Sequence, residues 1–114
     1  MDITAVGIDI VKVARLQAAL DTGKDHFLEE TFSPAERSYC TSFANPAVHF
    51  AGTFAVKEAV RKATGEFLPM HEVEVLRTKE GRPEVWTKGV RMETLHISIS
   101  HTDTDAVAIA IKTN

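Results

Sequence analysis

Two carboxylates stand where a charge is costly. Asp9 interrupts the apolar run Ile8-Asp9-Ile10. A charge there must be paired, protonated or bound to a cation to offset its desolvation. The plainer alternative is an exposed residue at a strand end, or one capping the helix that follows. Glu58 lies among the small apolar residues of Phe54-Ala55-Val56-Lys57-Glu58-Ala59. Its plainer reading is an i, i+4 surface pair with Lys62. Lys57, Arg61 and Lys62 crowd the same two helical turns. Taken alone they are a solvated basic face. Taken with two carboxylates able to hold a divalent cation through oxygen, they suit a polyphosphate whose charge is shared between metal and ammonium groups. His96 and His101 bracket the run His-Ile-Ser-Ile-Ser-His, with Ile97, Ile99 and His101 pointing one way and His96, Ser98 and Ser100 the other. Histidines in such a strand commonly serve packing.

Other chemistries lack their residues. Ser98 and Ser100 have no G-x-S-x-G setting, and Cys40 sits in a polar helix with no evident partner. There is no P-loop and no dinucleotide fingerprint, so a phosphate ligand must be held by side chains and metal.

The elements that must position these groups follow from periodicity and caps. Ile3 to Val11 reads as a mostly buried strand, with Val6, Ile8 and Ile10 on one face and Gly7, Asp9 and Val11 on the other. Lys12 to Leu20 carries Val13, Leu16, Ala19 and Leu20 at helical spacing, with Gly23 as a stop. Phe27, Leu28 and Phe32 indicate a short second helix. Ser33-Pro34-Ala35-Glu36 has the capping-box arrangement and opens a third through Cys40. Asn45-Pro46 repeats the start signal for the longest helix, which runs to about Ala63, stops at Gly65 and is apolar over most of its circumference. Val73 to Leu76, the turn Lys79-Glu80-Gly81-Arg82, and Val85-Trp86 read as a hairpin, and Leu95 to Ser100 with Ala106 to Ile111 as a second strand pair. The order predicts an α+β domain in which a long central helix packs on an antiparallel sheet.

Length and composition agree with one soluble unit over residues 1–114. No repeat or linker divides the 114 residues, of which 44% are hydrophobic and 25% charged. A single cysteine excludes an internal disulfide or a CxxC pair and points to a reducing compartment, so a cytoplasmic location is expected. The N-terminal apolar run is broken by Asp9 and Lys12 and has no basic leader, which speaks against a signal peptide and a membrane partner. A net charge of −3 argues against bulk nucleic-acid binding.

The blocks Gly7-Ile8-Asp9-Ile10-Val11, Ala51-Gly52, Phe54-Ala55-Val56-Lys57-Glu58-Ala59, Lys62-Ala63, Gly81-Arg82-Pro83 and His96-Ile97-Ser98-Ile99-Ser100-His101, in this order and spacing, resemble the short single-domain 4'-phosphopantetheinyl transferases of the holo-acyl-carrier-protein synthase type. The resemblance runs nearly end to end. It implies transfer of the phosphopantetheine arm of coenzyme A to a serine of apo-acyl carrier protein, with release of 3',5'-ADP. By the same resemblance Asp9 and Glu58 are ligands of Mg²⁺, whose preference for hard oxygen donors two carboxylates satisfy. Lys57 is then a catalytic phosphate contact near the incoming serine, Lys62 meets the pyrophosphate or a neighbouring phosphate, and His101 meets the nucleotide phosphates. The general base stays open between Glu58 and a water on the metal. Relatives are homotrimers with coenzyme A in a cleft between subunits, an assembly in which the last strand can be apolar on both faces. The carrier protein is acidic, and Lys12, Arg15 and Lys24 around the first helix are its expected docking groups.

Two departures stand out. Relatives usually carry Arg where this chain has Thr53, and a longer Gly-Thr-Gly loop where it has Gly65-Glu66-Phe67. Arg61, two turns beyond Thr53, is the expected compensating contact to coenzyme A. Two other functions compete with transfer: a non-catalytic trimer that only docks a carrier protein, and a Mg²⁺-dependent hydrolase of a nucleotide polyphosphate.

Overall fold

Local signals set most of the element boundaries. The computed structural model describes residues 1–114 in the order β1 (Ile3–Lys12), α1 (Val13–Asp21), α2 (Asp25–Thr31), α3 (Pro34–Thr41), α4 (Pro46–Thr64), a single 3-10 turn (Met70–Glu72), β2 (Val73–Arg77), β3 (Pro83–Thr87), β4 (Val90–Arg91), β5 (Leu95–His101) and β6 (Asp105–Thr113). The capping box forms as predicted. The Glu36 amide donates to Ser33 Oγ at 3.3 Å, and the Ser33 amide donates to Glu36 Oε1 at 2.9 Å. Asn45 makes no side-chain cap bond, so α4 begins on Pro46 and on its packing; it ends where Gly65 adopts φ 71° and donates to the Arg61 carbonyl. Left-handed backbone there favours glycine.

The strands form two antiparallel three-stranded sheets, ordered β1-β6-β5 and β2-β3-β4. The fold is therefore α+β, with α4 on the first sheet. Thirteen of the nineteen residues of α4 are buried, as its all-round apolar pattern predicts. Ala106, Ala108 and Ala110 of the middle strand are buried on the face toward it; small side chains allow helix and sheet to approach. The approach is closest at Gly7, where a Cβ would lie 2.0 Å from the Ala59 carbonyl oxygen and 2.9 Å from the Ala63 nitrogen. At the other edge a Cβ on Gly52 would lie 3.2 Å from Ile99 Cγ2 of β5. Thus α4 crosses the sheet diagonally, from β5 near its N-terminal half to β1 near its C-terminal half. Gly52 and Lys62 are ten residues apart, which at ~1.5 Å per residue separates these ends by ~15 Å.

The outer face of this sheet corrects the expectation of a mostly buried β1. Registers across β1, β6 and β5 align Val6, Ile111 and His96, then Ile8, Ile109 and Ser98, then Ile10, Val107 and Ser100. Val6, Ile8 and Ile10 are 52%, 58% and 68% exposed. Only one face of β1 is covered, since every helix that packs on this sheet lies on the Gly7 and Val11 side. The apolar character of the other face has no partner within the chain. No helix is long and apolar enough to cross a membrane.

Candidate functional site

At the β1 end of α4, Lys62 reaches across to the strand. Its Nζ donates to the Ile8 carbonyl at 2.9 Å and pairs with Asp9 Oδ1 at 3.4 Å. Asp9 is half-buried on the face toward α4, and it caps nothing: the N-cap of α1 is Lys12, with no side-chain cap bond. Glu58, one turn before Lys62, does not pair with it. Glu58 Oε1 instead accepts from Arg61 Nη1 at 3.5 Å. Two partly exposed carboxylates therefore lie near one ammonium group, which is held by Asp9 and the Ile8 carbonyl.

The donor set decides which cation this end can take. No cluster of three or more His, Cys, Asp or Glu side chains exists, so a cation needing a full protein cage, such as structural Zn²⁺, does not fit. Two carboxylate ligands suit Mg²⁺, which keeps several waters and takes its other ligands from phosphate oxygens. The pair fits that group.

Lys57 lies elsewhere than expected for a phosphate contact. It is 0% exposed. Its Nζ is 2.8 Å from Glu36 Oε1 and donates to the carbonyls of Met70 and Val73, each at 2.6 Å. All three ammonium protons are thereby used. Glu36 in turn accepts from the Val75 amide at 2.8 Å. Burial pushes the Glu36 carboxyl up and the Lys57 ammonium down, and each partner's charge opposes the other's shift. The pair fastens α3, α4 and the start of β2 together inside the core. The corresponding sequence signal was present: Glu36 is the capping-box residue, and Lys57 is one position from Glu58 and so points about 100° away on the helix.

Thr53 and Arg61 also part company. Thr53 is buried, donates to the His49 carbonyl at 2.9 Å and lies 3.7 Å from Cys40 Sγ. Arg61 Nη2 donates to the Leu68 carbonyl at 2.9 Å, and its guanidinium lies over the Phe67 ring at 5.5 Å. Eight residues turn the helix by ~800°, leaving the two side chains ~80° apart. Arg61 therefore secures the short loop after Gly65, on a different side of the helix from position 53. Cys40 is inert in this setting, its thiol pushed up to about 11 chiefly by burial.

His101 stands at the other end of α4. There a cavity of about 170 Å³ is lined by Tyr39, Val48, His49, Gly52, Arg77, Ile99 and His101. The rings of His49 and His101 are 5.9 Å apart, and His49 stacks on Phe43 at 3.7 Å. Arg77 lies over Tyr39 at 4.9 Å. Arg77 and Ile99 also line a wider cleft of about 870 Å³ between the two sheets, walled by Gly81, Arg82, Pro83, Arg91, His96 and Ser98 among others. His49 and Arg77 were not singled out from the sequence. The signal available was the i, i+4 spacing of His49 and Thr53, with Gly52 leaving space beside them.

Lys12 and Arg15 flank the start of α1. Lys12 is exposed but pairs with Asp105 at 3.0 Å, while the exposed Arg15 lies over the Phe54 ring at 4.9 Å with no acidic partner. Of the two, Arg15 presents the uncommitted charge.

Comparison with known proteins fits this arrangement. The model of the 4'-phosphopantetheinyl transferase superfamily matches residues 5–112. The holo-[acyl-carrier-protein] synthase of Thermodesulfovibrio yellowstonii is 41% identical over 113 residues, covering 97% of this chain and 99% of the relative. That of Chlorobaculum parvum is 38% identical over 111 residues, covering 93% and 95%. The crystal structure of a holo-(acyl-carrier-protein) synthase from Bacillus anthracis in complex with coenzyme A (3',5'-ADP) superposes with a TM-score of 0.81 at 30% identity, covering 98% of each chain.

Proposed function

The chain belongs to the 4'-phosphopantetheinyl transferase superfamily, and from that premise we propose how the two ends of α4 share one reaction. The enzyme transfers the 4'-phosphopantetheine arm of coenzyme A to a serine hydroxyl of apo-acyl carrier protein. A bond forms between the serine oxygen and the phosphorus that bears the pantetheine arm. The bond from that phosphorus to the bridging oxygen of the pyrophosphate breaks, 3',5'-ADP leaves with the electron pair, and the proton of the serine hydroxyl passes to Glu58 or to a water.

Asp9 and Glu58 are the residues that would hold Mg²⁺, which when bound neutralises charge on the pyrophosphate. Lys62 adds a cation beside them and steadies Asp9 against the strand. The Lys57–Glu36 pair sets the position of Glu58 by fixing the middle of α4. Arg61 orients Glu58 from the other side and holds the loop at Leu68. Arg15, with Lys12 beside it, receives the acidic carrier protein.

The observation that carries the assembly is the ~15 Å between the carboxylate end of α4 and the His101 end. The 3'-phosphate and the 5'-pyrophosphate of coenzyme A sit on one ribose, a few bonds apart. Within one chain, His101 faces the first from one edge of the sheet and Asp9, Glu58 and Lys62 face the second from the other; two neighbouring chains can bring the two groups together around one ligand. The uncovered apolar face formed by Val6, Ile8, Ile10, Val107, Ile109 and Ile111 supplies the contact, and a closed ring of three copies buries it without leaving an open edge. The reading extends to a cytoplasmic setting, in keeping with the reduced, buried Cys40, and to fatty-acid biosynthesis as the process whose carrier is primed.

The test weighs apo-acyl carrier protein after incubation with the enzyme, coenzyme A and Mg²⁺. Transfer adds the mass of one phosphopantetheine, and chelation of the metal abolishes the gain. A carrier of unchanged mass with coenzyme A intact would identify a docking module, and coenzyme A cleaved without a carrier would identify a hydrolase.

A further inference from the structure

Three cationisable side chains from three elements converge on the small cavity at the N-terminal half of α4: His49 from α4, Arg77 from the end of β2 and His101 from the end of β5. No carboxylate lines it. The facing groups are all neutral or positive: Tyr39 from α3, Arg77 and His101. The α3 carboxylate, Glu36, is committed to Lys57, and Asp105, beside the β6 partner of His101, is held by Lys12 at 3.0 Å. His49 is fixed by its stack on Phe43 at 3.7 Å, and Arg77 is spread over Tyr39 with one contact, at 3.4 Å, to the Gly81 carbonyl. Like charges held together with no counter-ion form a seat for an anion. At about 170 Å³ the cavity admits a single small group, and through Arg77 and Ile99 it opens into the cleft large enough for a nucleotide.

We propose that His49 and Arg77 bind the 3'-phosphate of coenzyme A together with His101, and that His49 makes this affinity depend on pH. The inference rests on the transferase reading above. In the free protein the His49 imidazole is held below its usual range by partial burial first and then by the charges of His101 and Arg77. A phosphate dianion reverses that penalty, because it favours the imidazolium form. His49 therefore takes up a proton on binding. Its pKa is higher in the complex than in the free protein, so affinity is greatest at the lower pH and is lost as pH rises through the value in the complex. The phosphate protonates only near pH ~6, so a comparison above that value reads the protein.

The experiment measures binding of coenzyme A and of 3'-dephospho-coenzyme A by calorimetry at pH 6.5 and 8.0, for wild type, His49→Gln and Arg77→Gln. Wild type prefers coenzyme A by ~10-fold or more at the lower pH, the effect of about one pKa unit of coupling, and the preference shrinks at the higher pH. Proton uptake, read from buffers of different ionisation enthalpy, accompanies coenzyme A and not the dephospho ligand. His49→Gln loses that uptake and most of the pH dependence, and Arg77→Gln loses preference at both pH values. Both variants keep wild-type affinity for the dephospho ligand, which also shows that they fold. Unchanged proton uptake in His49→Gln, or equal loss of both ligands in either variant, would overturn the proposal. Wild type binding coenzyme A without preference sinks this inference alone, whereas wild type binding neither ligand removes the transferase reading beneath it.

Discussion

Replacing Lys57 by methionine separates a positioning role from a phosphate contact. Lys57 Nζ serves Glu36 and the carbonyls of Met70 and Val73, all inside the core. Lys57→Met keeps the stem but leaves Glu36 buried without a counter-charge, and breaking a buried pair in this way costs ~3–5 kcal/mol. At ~2.1 cal/mol/K per residue, 114 residues unfold with an entropy near 0.24 kcal/mol/K, so Tm should fall by ~12–20 °C. The loss should depend on pH. With Lys57 gone, burial drives the Glu36 pKa in the folded state further above its unfolded value, so the folded state binds the additional proton. Stability of the variant then rises as pH falls from 7 to 5. Lys57→Met/Glu36→Gln, which removes the orphaned charge and keeps an acceptor for one of the two amides, Ser33 or Val75, should recover part of the loss and show no such rise. Thermal melts at the two pH values, with KM for coenzyme A measured well below Tm, provide the assay. A Lys57→Met protein that melts like wild type but binds coenzyme A tenfold or more weakly would refute the reasoning and return Lys57 to the phosphates.

Gly7→Ala should destabilise the fold by ~3 kcal/mol or more, the upper end of overpacking costs, because the new Cβ meets helix backbone at Ala59 and Ala63 that cannot turn aside; a melting shift under 3 °C would contradict this. Cys40 predicts an alkaline limit. Its thiol stays protonated in the folded state up to about 11 against 9.0 unfolded, so the unfolded state gains by ionising first. Wild type should lose ~1.4 kcal/mol more than Cys40→Ala between pH 8 and 10 in denaturant titrations, and parallel curves would show a solvated thiol. Arg15→Glu should raise KM for the carrier protein, with wild-type KM rising with salt, while coenzyme A binding stays unchanged; equal effects on both substrates would place Arg15 in the coenzyme A cleft.

Most of the fold was legible because its signals are local. The Ser33 capping box, Pro46, the left-handed Gly65 and the period-two strands each declare an element within a few residues. What was not legible depends on where α4 lies. The sequence shows that Lys57 and Lys62 flank Glu58, but only the diagonal crossing of the sheet sends Lys62 to Asp9 and Lys57 into the core against Glu36, a partner twenty-one positions away. The same crossing turns Thr53 toward Cys40 and brings His49 beside His101. The exposed face of β1 was hidden for another reason. An apolar strand reads alike whether its partner is the same chain or a neighbouring one, and periodicity carries no mark of which.

The proposed split of the active site between neighbouring chains is tested most directly by mixing two impaired variants. Asp9→Asn lacks the carboxylate end and His101→Ala lacks the other. When the two are unfolded together in equal amounts and refolded as a ring, about a quarter of the interfaces pair an intact Asp9 with an intact His101 on the next chain. With coenzyme A below its KM, transfer of phosphopantetheine to apo-acyl carrier protein should then return to about a quarter of the wild-type rate, while Asp9→Asn refolded alone stays at least ~10²-fold below wild type and His101→Ala refolded alone stays below the mixture. A mixture no more active than its separate components, with mixed oligomers shown to form, would contradict the account and place the whole site within one chain.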